Sequence, residues 1–362
     1  MLILQKTTIQ LKSKDILKLR LINQGIAGAE NKTPAEVVNN LGAMQAQDYA
    51  MAKWAVGLRL PGKTESDIEN AFNAGEILRT HILRPTWHFV TPHDIRLIYA
   101  ATADRVKAAT KTYLKLRELD VHTLNKSMDV IIKALEGGNY LTRQELRAEL
   151  SRHKIIASGS RLAHIIIEAE LDMLVCSGPR RGKQFTYALF DEVVPPVKKV
   201  NHEEAMVKLT TMFFRSHGPA TIKDFCWWSS LTMNEALQGL NATGKTFIRE
   251  QIDGQEYIYS PENLEKIKTL SPSLSTFLMP DYDEYFISYK ERELLLANYN
   301  GPLPFGSNGR FPHLIVINGL GGGLYTNNAS EIETEYFRSI TIKEQNDVQK
   351  AIKSYRLFNN LV

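Results

Sequence analysis

The spacing of apolar residues between positions 141 and 189 predicts two helices followed by a β-hairpin. The segment LTRQELRAEL has Thr142 in the N-cap position and Glu145 three residues later, which is the pattern of a capping box. In the next segment apolar residues recur on one helical face: Leu162, Ile165, Ile166, Ala169 and Met173. The residues after it, MLVCSGPRRGKQFTYAL, are typical of strand, turn and strand. Their turn is marked by Gly178, Pro179 and Gly182.

The same order of elements recurs further along the chain. The segment EEAMVKLTTMFFRSHG predicts a helix that ends near Gly218, and PATIKDFCWWSSL predicts another that begins at Thr221. After MNEALQGL, the segment TFIREQIDGQEYIYS predicts a hairpin whose turn is Asp253-Gly254. Thr142 and Thr221 are equivalent N-caps, 79 residues apart (221 − 142). A repeat of two helices and a two-stranded wing predicts two winged-helix modules.

The ends of the chain complete the predicted organisation. Residues 13–24 predict a helix, TPAEVVNNLGAMQAQ (33–47) predicts a second, and ILRPTWHFVT (82–91) alternates like a strand, so we expect a third winged helix there. Helices then continue to about Leu135. After Pro272, short apolar runs separated by Gly and Pro predict a small β-rich domain with a polar tail.

These patterns assign an α+β fold class and four parts. The first winged-helix module spans residues 1–120, the second 121–196 and the third 197–270, and the C-terminal β-rich domain spans 271–362. The Pro-containing segment VVPPVKKV (193–200) is the predicted linker between the second and third modules.

Composition and charge narrow the class of protein. The 362 residues include only two cysteines and carry a net charge of +4, which permits nucleic-acid binding without requiring it. Between positions 142 and 187 there are eight Lys or Arg against five acidic residues. No apolar run reaches the roughly 18 residues of a membrane span, and no secretion signal is present. We therefore expect a soluble cytoplasmic protein without a disulfide framework.

The segment LGAMQAQDYAMAKWAVGLRL (41–60) carries the strongest candidate chemistry. In it Gln45 and Gln47 flank Ala46 directly before Asp48. Polar clusters near helix termini usually serve as caps or solvated surface. This segment, however, resembles the signature of the AlkZ-like winged-helix DNA glycosylases, a Gln-apolar-Gln or Gln-apolar-Asp motif followed by an aromatic residue and a Leu-Arg-Leu-type stretch.

The resemblance extends over most of the chain. Three more segments are similar to family elements in the same order: RTHILRPTWHFVTPHDIRLI (79–98), GPATIKDFCWWSSL (218–231) and FLMPDYDEYFISYKER (277–292). A departure is Pro85, where many relatives have Gly. The resemblance implies three tandem winged helices and a small C-terminal β-barrel that close around double-stranded DNA, with base excision at the first module.

A pair of glutamines suits the removal of one kind of base. Glycosidic hydrolysis usually employs two carboxylates, but a purine alkylated at N7 is already cationic and leaves as a neutral base, so it needs no strong general acid. The amides of Gln45 and Gln47 can position a water beneath the anomeric carbon and stabilise an oxocarbenium-like transition state. We predict a monofunctional DNA repair glycosylase that hydrolyses the N-glycosidic bond of N7-alkylated purines, bulky or crosslinked ones included.

The alternative to this enzyme is a non-catalytic winged-helix protein, a regulator or architectural DNA binder, which has no need of the glutamine pair. In either case we expect a bacterial, nucleoid-associated monomer that uses no cofactor and no metal. His81, His88 and His93 lack cysteine or carboxylate partners at zinc spacing.

Further positions near the motif are candidates for supporting roles. Asp48 is either a water-activating base or a local helix cap. Thr86 and His88 lie two residues apart on one face of the predicted strand, where they contact a phosphate, orient the water or are buried. Arg84 shares that face and is the candidate phosphate contact.

At the predicted wing tip, Arg180, Arg181 and Lys183 are candidate DNA contacts, against the alternative of a solvated hairpin tip. Adjacent aromatic residues on a helix point apart, so at least one of Trp227 and Trp228 is expected in the core. Asp283 is either a turn residue or part of the lesion site. The segment NGLGGG (318–323) is predicted as a tight turn between strands, because no apolar-periodic helix follows it as a dinucleotide loop requires.

Overall fold

The structure, a computed structural model, describes residues 11–28, 30–198, 200–269, 276–297, 299, 301, 313–328 and 331–361. The predicted boundary at 270/271, Pro272 and Lys199 of the predicted linker lie outside these ranges. Within them the chain has a mixed α/β fold. None of the described helices is long and apolar enough to cross a bilayer.

The elements follow in chain order. The helices are α1 (Ser13–Asn23), α2 (Pro34–Leu41), α3 (Tyr49–Leu58), α4 (Glu65–Asn73), α5 (Ile95–Leu116), α6 (Val121–Leu135), α7 (Arg143–Arg152), α8 (Ser160–Leu171), α9 (Phe190–Val193), α10 (His202–Ser216), α11 (Ile222–Ser229), α12 (Met233–Ala242), α13 (Glu284–Ile287) and α14 (Ile342–Phe358), with a 3-10 helix at Leu264–Lys268. The strands are β1 (Met44–Gln45), β2 (Leu78–His81), β3 (Trp87–Val90), β4 (Leu141–Thr142), β5 (Val175–Arg181), β6 (Gln184–Leu189), β7 (Ile248–Ile252), β8 (Gln255–Tyr259), β9 (Phe277–Leu278), β10 (Leu314–Ile317), β11 (Leu320–Asn327) and β12 (Ile332–Tyr336).

One arrangement occurs three times along the chain. A helix leads into a short extended segment, two helices follow, and an antiparallel hairpin closes the group. In the first two groups the short strand pairs with the second hairpin strand, which gives sheet orders β1-β3-β2 and β4-β6-β5. In the third group a single bridge from Ala220 to Ile258 of β8 takes the same place. Three groups therefore share one topology.

Most local signals predict the caps and turns that the structure has. Thr142 and Thr221 cap α7 and α11 with capping boxes that involve Glu145 and Asp224. Asp253 and Gly254 make the turn between β7 and β8, with φ of 49° and 80°. The predicted turn of the second hairpin was placed too early: Gly178 and Pro179 lie inside β5, and the turn is at Gly182, because a register shift between Gly178 and Arg181 absorbs the proline.

The N-terminal predictions need two corrections. The helix predicted over 33–47 ends at Leu41, because Gly42 takes a φ of 78° and the chain then extends into β1. The strand predicted over 82–91 is confined to Trp87–Val90, and residues 82–86 form the tight connection from β2. Arg84 and Thr86 therefore lie on this connection and do not share a strand face with His88.

The C-terminal part contains an antiparallel sheet of order β12-β11-β10-β9. No pairing joins β12 to β9 among the described residues, so the sheet is open there and the expected barrel is not found. The turn predicted at NGLGGG is confirmed: Asn318 and Gly319 have φ of 54° and 81° between β10 and β11. The predicted polar tail is instead mostly the helix α14, capped by Thr341.

The first group and the C-terminal part share one hydrophobic core. The indole of Trp54 on α3 packs against Tyr355 and Phe358 of α14, with ring centroids 5.2 Å apart in each case. Its Nε1 donates to the carbonyl of Leu278 in β9 over 2.9 Å. A Cβ at Gly57 would overlap the Phe358 ring, so α14 approaches α3 only because glycine stands there. Residues far apart in sequence thus support the strand that ends at Gln45.

A buried ion pair fastens the same two parts. The guanidinium of Arg59 and the carboxylate of Asp283 are fully buried and meet through two hydrogen bonds of 2.7 and 2.9 Å. The other guanidinium donors bond the carbonyl of Ala55 and the carbonyl and side-chain oxygens of Gln24. All five donors of Arg59 are therefore satisfied, and Asp283, which caps α13, has a structural place rather than an exposed one.

Candidate active site

Gln45 and Gln47 lie where β1 ends, next to β3. Gln45 is paired with His88, and the backbone NH of Ala46 donates to the Trp87 carbonyl over 2.7 Å. Side chains alternate along an extended chain, and Ala46 is fully buried whereas Gln45 is half-buried and Gln47 is exposed. The two amides therefore project from the same side of β1, away from the core.

The hydrogen bonds of the two amides fix which atom faces the protein. Arg84 Nη2 donates to Gln45 Oε1 over 3.2 Å, and the Trp87 backbone NH donates to Gln47 Oε1 over 3.4 Å. Guanidinium and backbone NH groups can only donate, so the atom that each one meets is the amide oxygen. Each oxygen keeps a second lone pair, and among the described residues no hydrogen bond engages either NH₂ group, so both can meet an outside acceptor.

A buried carboxylate holds the backbone at this point. Glu284 is 1% exposed, and its Oε1 accepts a 2.7 Å hydrogen bond from the backbone NH of Gln45. Its Oε2 accepts from Trp228 Nε1 over 3.2 Å and from Ser288 Oγ. Glu284 thus ties the glutamine strand to α11 and α13, although it is too deep to touch a substrate.

The charge of Glu284 is preserved despite its burial. Burial by itself raises the pKa of a carboxyl group. The adjacent His217, whose Nε2 lies 3.7 Å from Glu284 Oε2, the positive charge of Arg84 and the hydrogen bond from Ser288 together outweigh burial and lower the pKa of Glu284. The site therefore contains one buried negative charge beneath Gln45 and one positive charge, Arg84, beside it. Burial in turn lowers the pKa of Arg84, and Glu284 opposes that shift.

His88 lies in the interior, with no exposed surface, so in this structure it does not reach a phosphate. Its Nδ1 is 2.9 Å from the carbonyl of Thr86, and because a carbonyl only accepts, Nδ1 carries the proton and Nε2 is bare. Neither His88 Nε2 nor Thr86 Oγ1 has a hydrogen-bond partner among the described residues, although both atoms are buried. For Thr86 and His88, burial of these atoms favours a structural role over orienting the water.

The burial of His88 predicts a pH dependence of stability. Burial, followed by the charge of Arg84, lowers the pKa of His88 from 6.5 to about 3. In the unfolded chain this histidine binds a proton as the pH falls below 6.5, whereas the folded chain does not until about pH 3. The free energy of unfolding is therefore expected to fall across this window as pH falls. His88→Gln should flatten urea-unfolding stability between pH 7.5 and 5, and His153→Gln, at an exposed position, is the control. An equal slope in His88→Gln and the parent would contradict the assignment.

Asp48 is exposed and serves as the N-cap of α3. Its Oδ1 accepts the backbone NH of Met51 over 3.0 Å. The predicted helix over 33–47 would place Asp48 after a helix. In the structure Asp48 instead precedes one, α3. This geometry is the one expected of a local helix cap.

The three wing residues have different surroundings. Arg180 is held within the protein: its side chain is 15% exposed, Nη1 pairs with Glu69 at 3.1 Å, and Nη2 donates to the Lys183 carbonyl. It therefore does not stand free at a wing tip. Arg181 is 56% exposed and pairs with Glu145 at 2.7 Å, a surface contact that is easily exchanged. Lys183 is exposed and lines an open groove.

This groove, here called the Trp87 groove, has a volume of about 740 Å³, and the backbone NH of its lining residue Trp87 donates to Gln47 Oε1. It runs between the first and second groups and is lined by residues that include Arg79, Trp87, Arg143, Arg147, Lys183 and Phe185. Arg79 forms the closest link to the glutamines, since its Nε donates to the carbonyl of Ala46 over 3.0 Å. A positively charged surface therefore begins at the residue between Gln45 and Gln47.

Other predicted positions fall outside this centre. Trp228 is fully buried, as expected for one member of the pair, and Trp227 is 44% exposed with its Nε1 bonded to the carbonyl of Ile287. No group of three or more His, Cys, Asp or Glu side chains that could hold a metal ion occurs in the described part of the chain.

Sequence reasoning missed Glu284, Arg79 and Trp87. Glu284 follows Asp283 in an otherwise apolar run, DEYFISY, and a carboxylate in such a run indicates a buried partner. Arg79 and Trp87 stand in the RTH and PTWHF segments, where no spacing rule distinguishes them from core residues. Their contacts with Ala46 and Gln47 appear only in the folded structure.

The chain is similar to known proteins over most of its length. A family model described as DNA glycosylase AlkZ-like matches residues 38–356, a range that includes Gln45 and Gln47. The chain belongs to the AlkZ-like DNA glycosylase family. A curated member, the interstrand DNA cross-link repair glycosylase of Streptomyces sahachiroi, is 20% identical over 284 residues, with 76% of each chain covered. The solved structure of the Streptomyces sahachiroi DNA glycosylase AlkZ superimposes with a TM-score of 0.83 over 98% of both chains at 18% identity, so this AlkZ-like chain has the same fold.

Proposed function

We propose that this AlkZ-like protein is a DNA repair glycosylase that hydrolyses the N-glycosidic bond of N7-alkylated purines in duplex DNA, bulky and crosslinked adducts included. The observation that carries the proposal is the glutamine pair, which projects outward beside a cationic groove although its strand is anchored in the core. The relative named for interstrand cross-link repair supports the crosslinked substrate.

The chemistry asked of the site is modest. A purine alkylated at N7 departs as a neutral base, so the site needs to position a water and stabilise positive charge on the sugar. The second lone pairs of Gln45 Oε1 and Gln47 Oε1 can accept the protons of that water, while protein donors hold each amide in one orientation. Buried Glu284 adds a negative charge beneath the strand, which favours an oxocarbenium-like transition state through the field of the site.

We further propose the layout that fits this function: three winged helices over 1–120, 121–196 and 197–270, then a small C-terminal barrel over 271–362. The three groups of shared topology support the winged helices. The antiparallel sheet β12-β11-β10-β9 supports the β-rich C-terminal part. For a protein acting on chromosomal DNA we propose a monomer at the bacterial nucleoid.

An assay for abasic sites tests the function. The purified protein is incubated under single-turnover conditions with duplexes that carry N7-methylguanine or a nitrogen-mustard crosslink, and alkali then cleaves the strand at any abasic site. We expect cleavage at the damaged guanine and none in undamaged duplex. Binding to damaged duplex without base release would overturn the enzyme and favour a non-catalytic winged-helix DNA binder.

A further inference from the structure

The Trp87 groove contains cationic and aromatic side chains that have no part in the chemistry proposed for Gln45 and Gln47. Among its described lining residues are four cations, Arg79, Arg143, Arg147 and Lys183, and no carboxylate. Its volume of about 740 Å³ lies within the range of about 300–1,000 Å³ that is usual for small-ligand sites. The groove is thus large and positive enough for a nucleotide-sized anion.

Arg79 gives the groove a floor that lacks an anion. The residue is 7% exposed, and no carboxylate lies within 4.0 Å of its guanidinium in the part of the chain that the structure describes. Burial lowers the pKa of Arg79 to about 10, although the negative charge of Glu170, beyond ion-pair distance, opposes the shift, so the charge of Arg79 persists at neutral pH. A buried cation is costly unless opposite charge stabilises it, and Arg79 lines a groove that is open to solvent. An anion bound in the groove would therefore be attracted by Arg79.

Trp87 forms an aromatic wall that is held in place. Its ring lies 4.2 Å from the Arg79 guanidinium and 3.9 Å from the centroid of the His81 ring. His81 is fixed in turn by a 2.5 Å contact from Nδ1 to buried Glu170. Phe185, also in the groove, contacts Arg79 at 4.5 Å. A fixed indole beside cations is the combination with which proteins bind unstacked bases and their phosphates.

The groove is continuous with the catalytic motif. The Trp87 backbone NH bonds Gln47 Oε1, its carbonyl accepts from Ala46, and Arg79 bonds the Ala46 carbonyl. A ligand that touches the Trp87 ring therefore contacts a residue that is itself hydrogen-bonded to Gln47 and Ala46. A strand whose sugar lies over the glutamines can extend into the groove without leaving the protein surface.

We propose that the Trp87 groove binds one nucleotide of the DNA strand in an unstacked state, with its base against the Trp87 ring and its phosphates against Arg147 and Lys183. This proposal rests on the glycosylase function, because it concerns a nucleotide that neighbours the damaged one. Duplex backbone alone does not account for the groove, since base pairs in a stack offer no free face to an indole. The site would separate a bulky adduct from its neighbour and keep the opened strand in register.

Single-strand binding tests the groove independently of base release. A short unmodified oligonucleotide is titrated into the full-length protein, and affinity and tryptophan fluorescence are followed together. Trp87→Ala is expected to weaken binding roughly 5- to 150-fold, the equivalent of about 1–3 kcal/mol of stacking per base. Trp87→Phe, which keeps a stacking face, should retain most of the affinity while losing the part of the quenching that comes from Trp87.

Charge variants test the phosphate contacts. Lys183→Gln is expected to reduce the slope of log affinity against log salt by about 0.7, the value for one phosphate contact on a single strand. The matched change Lys133→Gln, at an exposed position on α6 outside the groove, should leave the slope unchanged. Equal slopes in Lys183→Gln and the parent would remove Lys183 from the site.

Two results would overturn the assignment. One is unchanged oligonucleotide affinity in both Trp87 variants, with folding verified by circular dichroism. The other is binding of a free deoxynucleoside monophosphate or inorganic phosphate as tightly as the oligonucleotide, which would make the ligand a free anion. Base release together with normal binding by the Trp87 variants would support the glycosylase function and remove the nucleotide site. Binding that depends on Trp87 without any base release would support the nucleotide site and remove the glycosylase function.

Discussion

Alanine at Gln45 or Gln47 is expected to slow base release about 10- to 1,000-fold, the range for removing one positioned polar group from a catalytic site. Each change deletes an amide whose orientation is fixed by a protein donor, Arg84 for Gln45 and the Trp87 backbone for Gln47. Neither deletion removes a groove cation, so affinity for damaged duplex should change little. Single-turnover rates on N7-methylguanine duplex, with affinity measured separately, check both statements.

The chain offers a matched control. Gln238 is exposed on α12, far from β1 in sequence, and Gln238→Ala makes the same chemical change. Its rate and affinity should equal those of the parent. Loss of affinity that parallels loss of rate in the Gln45 and Gln47 variants would mean that the amides bind DNA rather than act in the transition state, and the catalytic assignment would be withdrawn.

Asp283→Ala is expected to lower the free energy of unfolding by about 3–5 kcal/mol, the usual result of leaving one member of a buried ion pair without its partner. Arg59 has no exposed surface and would keep its charge with two hydrogen bonds unfilled. Unfolding in urea, followed by circular dichroism, measures the change.

Two further variants separate the ion pair from general damage. Replacing both partners, Arg59→Met with Asp283→Leu, should cost less than Asp283→Ala alone, because no uncompensated charge remains. Glu256→Ala removes a carboxylate from an exposed pair with Arg249 and should change stability by about 0–1 kcal/mol. A loss for Asp283→Ala no larger than that for Glu256→Ala would contradict the importance of the buried pair.

Local signals in the sequence predicted much of the fold. The caps at Thr142 and Thr221 and the turn at Asp253-Gly254 depend on neighbours within three residues, and all are found as expected. The helix α14 carried the same kind of signal, Thr341 with Glu344 three residues later, and was missed because its charged surface resembled a tail. Short-range signals were thus sufficient for these caps and turns, but not for the end of α2 or the extent of β3.

The candidate site depends on contacts that no local signal contains. The strand β1 has only two residues, and it exists because β3, more than 40 positions away, pairs with it. Glu284 meets Gln45 across 239 positions, and Arg59 meets Asp283 across 224. The family resemblance indicated Gln45 and Gln47, whereas the residues that orient them emerge only when the chain is folded.

The Glu284 carboxylate beneath Gln45 has a consequence for how the protein can be divided. A fragment that stopped before β9 would keep every element of the first helical group but would leave the Gln45 NH without its acceptor and Arg59 without its counter-ion. The helix α3 would also expose the indole of Trp54 that α14 covers. The strand that carries Gln45 is therefore a joint product of the first group and the C-terminal part, and it cannot be transplanted as a self-sufficient unit.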